Sequence, residues 1–273
     1  MTRPSLADYG THDESAFPHL WEGVVGAWCP SLGPTGLRLH DFSRRANWGT
    51  LTNMDAATDW VVDGGQYALN FDGVDDIVNC GTGINAEPTG LTISAWVSSS
   101  NWSSAGGLNG VFAAKGTLDG DATSTYALYW NTTLGWTFFT LSAANVLSIV
   151  RDNTTATANK LFHIVGTATA STLSIYVDGQ LKNTAANSGG NIKTSTHTLN
   201  LGSDGTTRRL FGNLFDLAIG GRPLSATEIA GLYQIGIGGI YERRRRTRLS
   251  SVRRFQAGWA RGSNVILQPC GVS

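Results

Sequence analysis

The stretch that most constrains this chain is Ala68 to Val97, ALNFDGVDDIVNCGTGINAEPTGLTISAWV. Leu69 and Phe71 alternate with Asn70 and Asp72. Asp72-Gly73 and Asp75-Asp76 then read as a turn, Ile77 and Val78 as a second short run. After a Gly-, Asn- and Pro-containing loop, Leu91, Ile93, Ala95 and Val97 repeat the period of two. Apolar side chains at every second position, cut by Asp-Gly turns, predict antiparallel strands with one face buried. The same reading gives strands at 23–28, 111–116, 126–131, 136–142 and 146–151. It gives two more across 161–177, with Leu173, Ile175 and Val177 on one face before the turn at Asp178-Gly179. Ser225, with Glu228 three residues on, marks the start of a short helix through a capping box.

At 273 residues, with 41% hydrophobic residues, the chain has material for one large all-β domain plus extensions. Its 34 glycines and 15% charged residues suit strands joined by polar turns. The net charge of zero hides an asymmetry. Residues 242–261 carry eight arginines and one acid, Glu242; the rest of the chain therefore holds 20 − 8 = 12 basic and 20 − 1 = 19 acidic residues, a net of −7. Charge segregated in this way points to a tail that meets a partner or an acidic surface. Cys29, Cys80 and Cys270 form neither a disulfide framework nor a metal-ligand spacing. The opening MTRPSLADYGTHDES lacks the basic-then-apolar pattern of a secretion signal, and no apolar run is long enough for a membrane span.

Three stretches carry a resemblance. One is ALNFDGVDDIV with LTISAWV. Another is LFHIVGTATASTLSIYVDGQLKNTAA at 161–186, where Phe162 stands at the family's usual tryptophan. The third is LNLGSDG with LFGNLFDLAIGGRPLSATEIAGLY, at 199–205 and 210–233. Gly36, Asp41, Ser43, Asn47, Gly49 and Leu51 extend it towards the N-terminus. Together they resemble the laminin-G-like domains of the concanavalin-A-like lectin and glucanase superfamily. The resemblance implies an all-β, two-sheet antiparallel jelly-roll sandwich. The expected organisation is an N-terminal arm over 1–22, the sandwich over 23–234, and a Gly joint with an Arg-rich anchoring tail over 235–273.

Chemistry is hard to place in this pattern. Glycoside hydrolysis needs two carboxylates across a cleft, and the superfamily's Glu-x-Asp-x-x-Glu strand signature is absent. Glu14, Glu22, Glu87 and Glu228 are the glutamates before the tail. Strand alternation sends Asp75 and Asp76 apart. The histidines are dispersed, His163 reads as a strand residue, and there is no nucleophile elbow. No enzymatic activity is expected. Relatives implied by the resemblance bind calcium through turn oxygens, for which Asp41, Asn47 and Asp216 are the candidates here. The family's paired acids become Phe215-Asp216, however, and Asp, Ser and Asn cap turns without any ion. No cofactor and no metal site is expected. For carbohydrate, Trp48, Trp60, Trp102, Trp130 and Trp136 offer stacking faces. Tryptophans of a large sandwich are expected to fill its core; Trp102, in the loop SSNWSSAGG, is the one of the five expected to be most exposed and is the carbohydrate-binding candidate.

The partner-binding candidates are Arg243, Arg244, Arg245, Arg246, Arg248, Phe255 and Trp259. Arginine forks suit carboxylates, and the tail has apolar side chains to bury. Nucleic acid is not expected, because the body is acidic; nor is a membrane. The arm, sandwich, Gly joint and tail together resemble phage structural proteins. The expected role is a non-enzymatic virion protein, a capsid decoration or head-fibre protein, made in the host cytoplasm. Its partners would be other virion proteins such as a capsid shell, further copies of itself and a cell-surface glycan. The alternative is a lectin-like receptor-recognition module of a tail or cell-surface protein.

Overall fold

The computed structural model describes residues 17–87, 89–102 and 110–239. Among these, sixteen strands form two antiparallel sheets. In the first, β14 (Gln180–Ala186), β13 (Thr172–Val177), β12 (Phe162–Thr169), β7 (Gly90–Ser98), β16 (Phe211–Gly220), β5 (Gln66–Asp72) and β4 (Trp60–Asp63) lie in that order. Strand β1 (Val24–Trp28) pairs with β16 as well, beyond the end of its ladder with β5. In the second, the order is β11 (Leu147–Arg151), β10 (Gly135–Leu141), β9 (Ser124–Asn131), β8 (Gly110–Gly116), β15 (Leu199–Leu201), β6 (Ile77–Asn79), β3 (Gly49–Thr52) and β2 (Arg38–Leu39). Neighbours distant in sequence alternate with hairpins, so the sheets are built by long-range crossings. This is the all-β jelly-roll sandwich expected from the sequence.

The core follows from the period of two. Leu91, Ile93, Ala95 and Val97 on β7 face inward, with Ile164 on β12 and Leu217 and Ile219 on β16. From the second sheet come Leu39, Leu51, Val78, Ala113, Leu128, Phe138 and Leu201. Two phenylalanines cross between the layers. Phe138 of β10 lies against Gly166 of β12, where a Cβ would sit 2.4 Å from the ring. Phe71 of β5 lies against Gly202, just after β15, where a Cβ would come within 2.0 Å. Each glycine is the seat that lets a ring reach across the interior.

A lysine is buried at the core's edge. Lys115 is fully enclosed on β8, and its Nζ donates to the carbonyls of Thr82 at 3.0 Å and His197 at 2.8 Å. Burial pulls this amine down to about 8. Two helices lie outside the first sheet. Helix α1 (Pro18–Trp21) buries Leu20 and Trp21. Helix α2 (Ala226–Ile235) starts on the capping box expected at Ser225 and Glu228 and buries Ile229 against Val165 and Tyr176.

Filling the seat at Gly166 should overpack the interior. Gly166→Ala is expected to lower the free energy of unfolding by about 1–3 kcal/mol, measured by urea denaturation. An unchanged midpoint would show that Phe138 has room to move aside.

Candidate functional site

The structure rearranges the sequence candidates. Trp102, expected to be exposed, is only 7% exposed. It packs edge-on against Phe112, Trp130, Trp136 and Phe162. Its indole N–H donates to the Thr157 carbonyl at 3.1 Å, and its own carbonyl accepts from Trp130 Nε1 at 2.9 Å. Glycine- and serine-rich surroundings suggested a loop tip, but a large aromatic with polar partners at hand gains more by entering the core. Trp130 and Trp136 are buried with it. Of the five tryptophans considered, Trp48 and Trp60 remain partly exposed. Arg243, Arg244, Arg245, Arg246, Arg248, Phe255 and Trp259 lie outside the described residues.

The calcium candidates are occupied by protein donors. Asp41 Oδ1 accepts from the backbone N–H of Ala27 and Ser43, both at 2.9 Å. Its Oδ2 accepts from Ser43 Oγ at 2.7 Å and the Asn47 N–H at 2.8 Å. Asn47 Nδ2 donates to the Val25 carbonyl, and Asp216 accepts from Ser31 Oγ and from the Gly238 N–H. These groups build turns and tie segments together. The acids of the opening stretch depart from expectation: the carboxylates of Asp72, Asp75 and Asp76 converge to within 4.8 Å of one another. Strand alternation fails there because the chain is turning. Asp72 Oδ1 accepts from the Val74 N–H, and Asp76 Oδ2 reaches back to the Asp72 N–H. Burial first, then the neighbouring carboxylates, push Asp76 up to about 6.

The outer face of the second sheet carries a lateral row that the sequence does not reveal. Arg38, Thr50, Asn79 and Asn200 stand opposite one another on β2, β3, β6 and β15. The row continues through Ala114, Ala127, Phe139 and Ile149 on β8 to β11. Each polar member sits beside an inward residue, Leu39, Leu51, Val78 and Leu201 in turn. The alternation therefore showed that they face outward, but not that they are neighbours. One end of the row is open: Arg38, Thr50 and Asn79 are exposed. The apolar half is covered by the loop after β8, whose Leu118 packs on it. Arg208 holds that loop, pairing with Asp119 at 2.7 Å and Asp204 at 2.9 Å.

At the open end the Arg38 guanidinium lies 4.3 Å from the centre of the Trp48 ring, and His40 meets the same ring edge-on at 4.4 Å. At the closed end Asn200 is 7% exposed, and its Oδ1 is buried with no hydrogen-bond partner among the described residues. A buried amide oxygen left unpaired costs about 1–3 kcal/mol unless solvent or a ligand supplies a donor. Arginine, threonine and asparagine side chains in a line, ending at an indole, can address hydroxyl groups and an apolar ring face together.

A second feature lies on the opposite sheet. Trp96 of β7 stands between His163 of β12 and Asp216 of β16. His163 is fully buried and stacks on Trp96 at 4.6 Å and on Tyr233 of α2 at 6.1 Å. Its Nε2 is 2.9 Å from Ser94 Oγ, and its Nδ1 has no hydrogen-bond partner among the described residues. Burial draws the imidazole down to about 4, against a small opposing pull from Asp178. A Ser-His pair invites a nucleophilic reading. That chemistry needs a third group orienting the base, and Asp178 instead accepts from the His163 backbone N–H and pairs with Lys160. A cavity of about 70 Å³ opens beside these residues, beneath both helices.

Comparisons with known proteins bear on this architecture. Residues 72–230 match the model of the laminin-G-type family described as the concanavalin A-like lectin/glucanases superfamily. No curated protein sequence matches the chain. Domain 4 of an extracellular arabinanase from Geobacillus stearothermophilus, solved with arabinotriose, superposes with a TM-score of 0.60 at 13% identity, covering 77% of this chain and 98% of that one. The binding domain of Paraclostridial Mosquitocidal Protein 1 gives 0.59 at 15% identity, over 78% and 52%. The ligand-binding domain of botulinum neurotoxin serotype D, solved with N-acetylneuraminic acid, gives 0.58 at 16%, over 81% and 53%. The chain spans about half the length of the two toxin domains.

His163 makes stability depend on pH in a defined window. Its folded value of about 4 lies below the 6.5 of a free histidine, so the unfolded chain binds more protons between them. The stabilisation is complete above pH 6.5 and is lost as pH falls towards 4, on the order of 3 kcal/mol in all. Asp76 acts oppositely, because its raised value favours the folded state at low pH. The measurement is therefore the difference between wild type and His163→Gln in urea unfolding at pH 7.5 and 4.5. Wild type is expected to lose more than the variant; equal losses would mean that His163 takes up a proton without penalty.

Proposed function

We propose that this chain, which belongs to the concanavalin A-like lectin/glucanases superfamily, is a non-enzymatic, lectin-like carbohydrate-binding module. The observation that carries the reading is the row Arg38–Thr50–Asn79–Asn200, with Trp48 at its open end and the unpaired Asn200 Oδ1 at its closed end. Sugar hydroxyls both donate and accept. They suit a surface that presents guanidinium, hydroxyl and amide groups in one line. The loop held by Arg208 bounds this row on one side, which suits a short oligosaccharide segment. Arabinotriose and N-acetylneuraminic acid in the similar structures lend support to glycan as the ligand class.

The wider setting suggested by the sequence is a virion, with residues 242–273 anchoring the chain to a shell and the sandwich displayed. The segregated charge, eight arginines against a body of −7, favours that second reading. A chain truncated after Tyr241 that still joined particles would remove it.

A glycan array followed by calorimetry tests the main reading. A hit is expected, and Asn79→Ala and Trp48→Ala should each weaken it about tenfold or more, with circular dichroism unchanged. Binding untouched by both changes, or a blank array, would overturn it.

A further inference from the structure

We propose that the cavity between the first sheet and helices α1 and α2 is a second binding site, which takes the acetamido group of an N-acetylated sugar. It lies on the sheet opposite the polar row and shares with the reading above only the class of ligand.

The size sets the first limit. At about 70 Å³ the cavity is several times the ~10–15 Å³ that one water needs, and about half of the ~150 Å³ apolar cavity that admits benzene. It suits a group of a few non-hydrogen atoms. The wall sets the second limit. Leu20, Trp21, Val24, Trp96, Leu224 and Leu232 supply most of it, so the group should end in a methyl.

The polar groups set the third. Thr92 Oγ1 is engaged with the Arg222 carbonyl and the Leu224 N–H. Ser94 is engaged with His163 Nε2, and Asp216, which also lines the cavity, accepts from Ser31 Oγ and the Gly238 N–H. His163 Nδ1 remains, buried and unpartnered among the described residues, on a side chain that lines the cavity. The imidazole is neutral, so Nδ1 either accepts or donates, depending on which way the bond to Ser94 runs. An ammonium only donates, and the Asp216 carboxylate that could pair with it already has its donors; a carboxylate only accepts and would stand against Asp216. A secondary amide presents an N–H and a carbonyl beside a methyl, and so answers either tautomer without a charge. Glu22 and Arg222 stand at the same cavity. Glu22 is exposed and is placed to accept from the hydroxyls of the attached ring.

The test uses the full chain with its tryptophan indole and histidine imidazole signals followed by NMR. The probes are N-methylacetamide, methyl N-acetyl-α-glucosaminide, methyl α-glucoside and 2-propanol. The first two should shift the Trp96 and His163 signals saturably, the last two not. Ala218→Leu, which fills the cavity from β16, should weaken the response at least tenfold. Val24→Phe, on a half-buried residue of β1, does the same from another wall should the first variant not fold. An equal response to methyl α-glucoside or 2-propanol would overturn the acetamido assignment. No saturable shift with either acetamide, or a response that survives both fillings, would overturn the site. Asn79→Ala should leave the response intact; its loss there would move the acetamide to the other sheet and overturn the proposal. N-methylacetamide keeps the test separate from the lectin reading, because it carries no sugar.

Discussion

The sandwich depends on two aromatic rings that cross its interior. Phe138 rests on Gly166 and Phe71 on Gly202, one ring from each sheet seated in the other. Hydrophobic burial alone holds two sheets together but lets them slide, because apolar surfaces have no direction. A ring over a bare backbone fixes position, since moving either strand by one residue would set the ring against a side chain. The lateral rows on the outer faces have a different origin. The row of Arg38, Thr50, Asn79 and Asn200 on one side, and of His163, Trp96 and Asp216 on the other, is set by the strand register within each sheet.

The fold was largely legible from residues 68–97 and 161–186, because period two and Asp-Gly turns are local signals. The capping box at Ser225 was legible for the same reason. The candidate sites were not. The polar row joins β2, β3, β6 and β15, and its last member lies some 120 positions beyond Asn79 along the chain. Alternation gives the face of each residue and says nothing of which strand stands beside it. Trp102 failed for a related reason. Its serine- and glycine-rich neighbours describe the backbone of a loop, whereas its position is set by Trp130, Trp136 and Phe162, which arrive from other strands. The crowding of Asp72, Asp75 and Asp76 was hidden because a strand rule was carried across a turn.

Function here is a matter of what the two outer faces leave unsatisfied. Two buried charges are well satisfied: Asp41 has four donors, and Lys115 has two carbonyls. Among the buried polar atoms without a hydrogen-bond partner in the described residues are the Asn200 oxygen on one sheet and the His163 nitrogen on the other, with His40 Nδ1, Arg151 Nε and Arg209 Nε besides. Buried polar atoms are satisfied so regularly in proteins that each exception asks for an explanation.

Helix α1 and the segment after α2 both end on the first sheet. Arg222 bonds the carbonyls of His19 and Glu22, and Gly238 is tied to Asp216. The two ends of the described chain are thus gathered at one pole of the sandwich. The polar row lies on the opposite sheet, so among the described residues the face that carries it and the face that gathers the ends are turned away from each other.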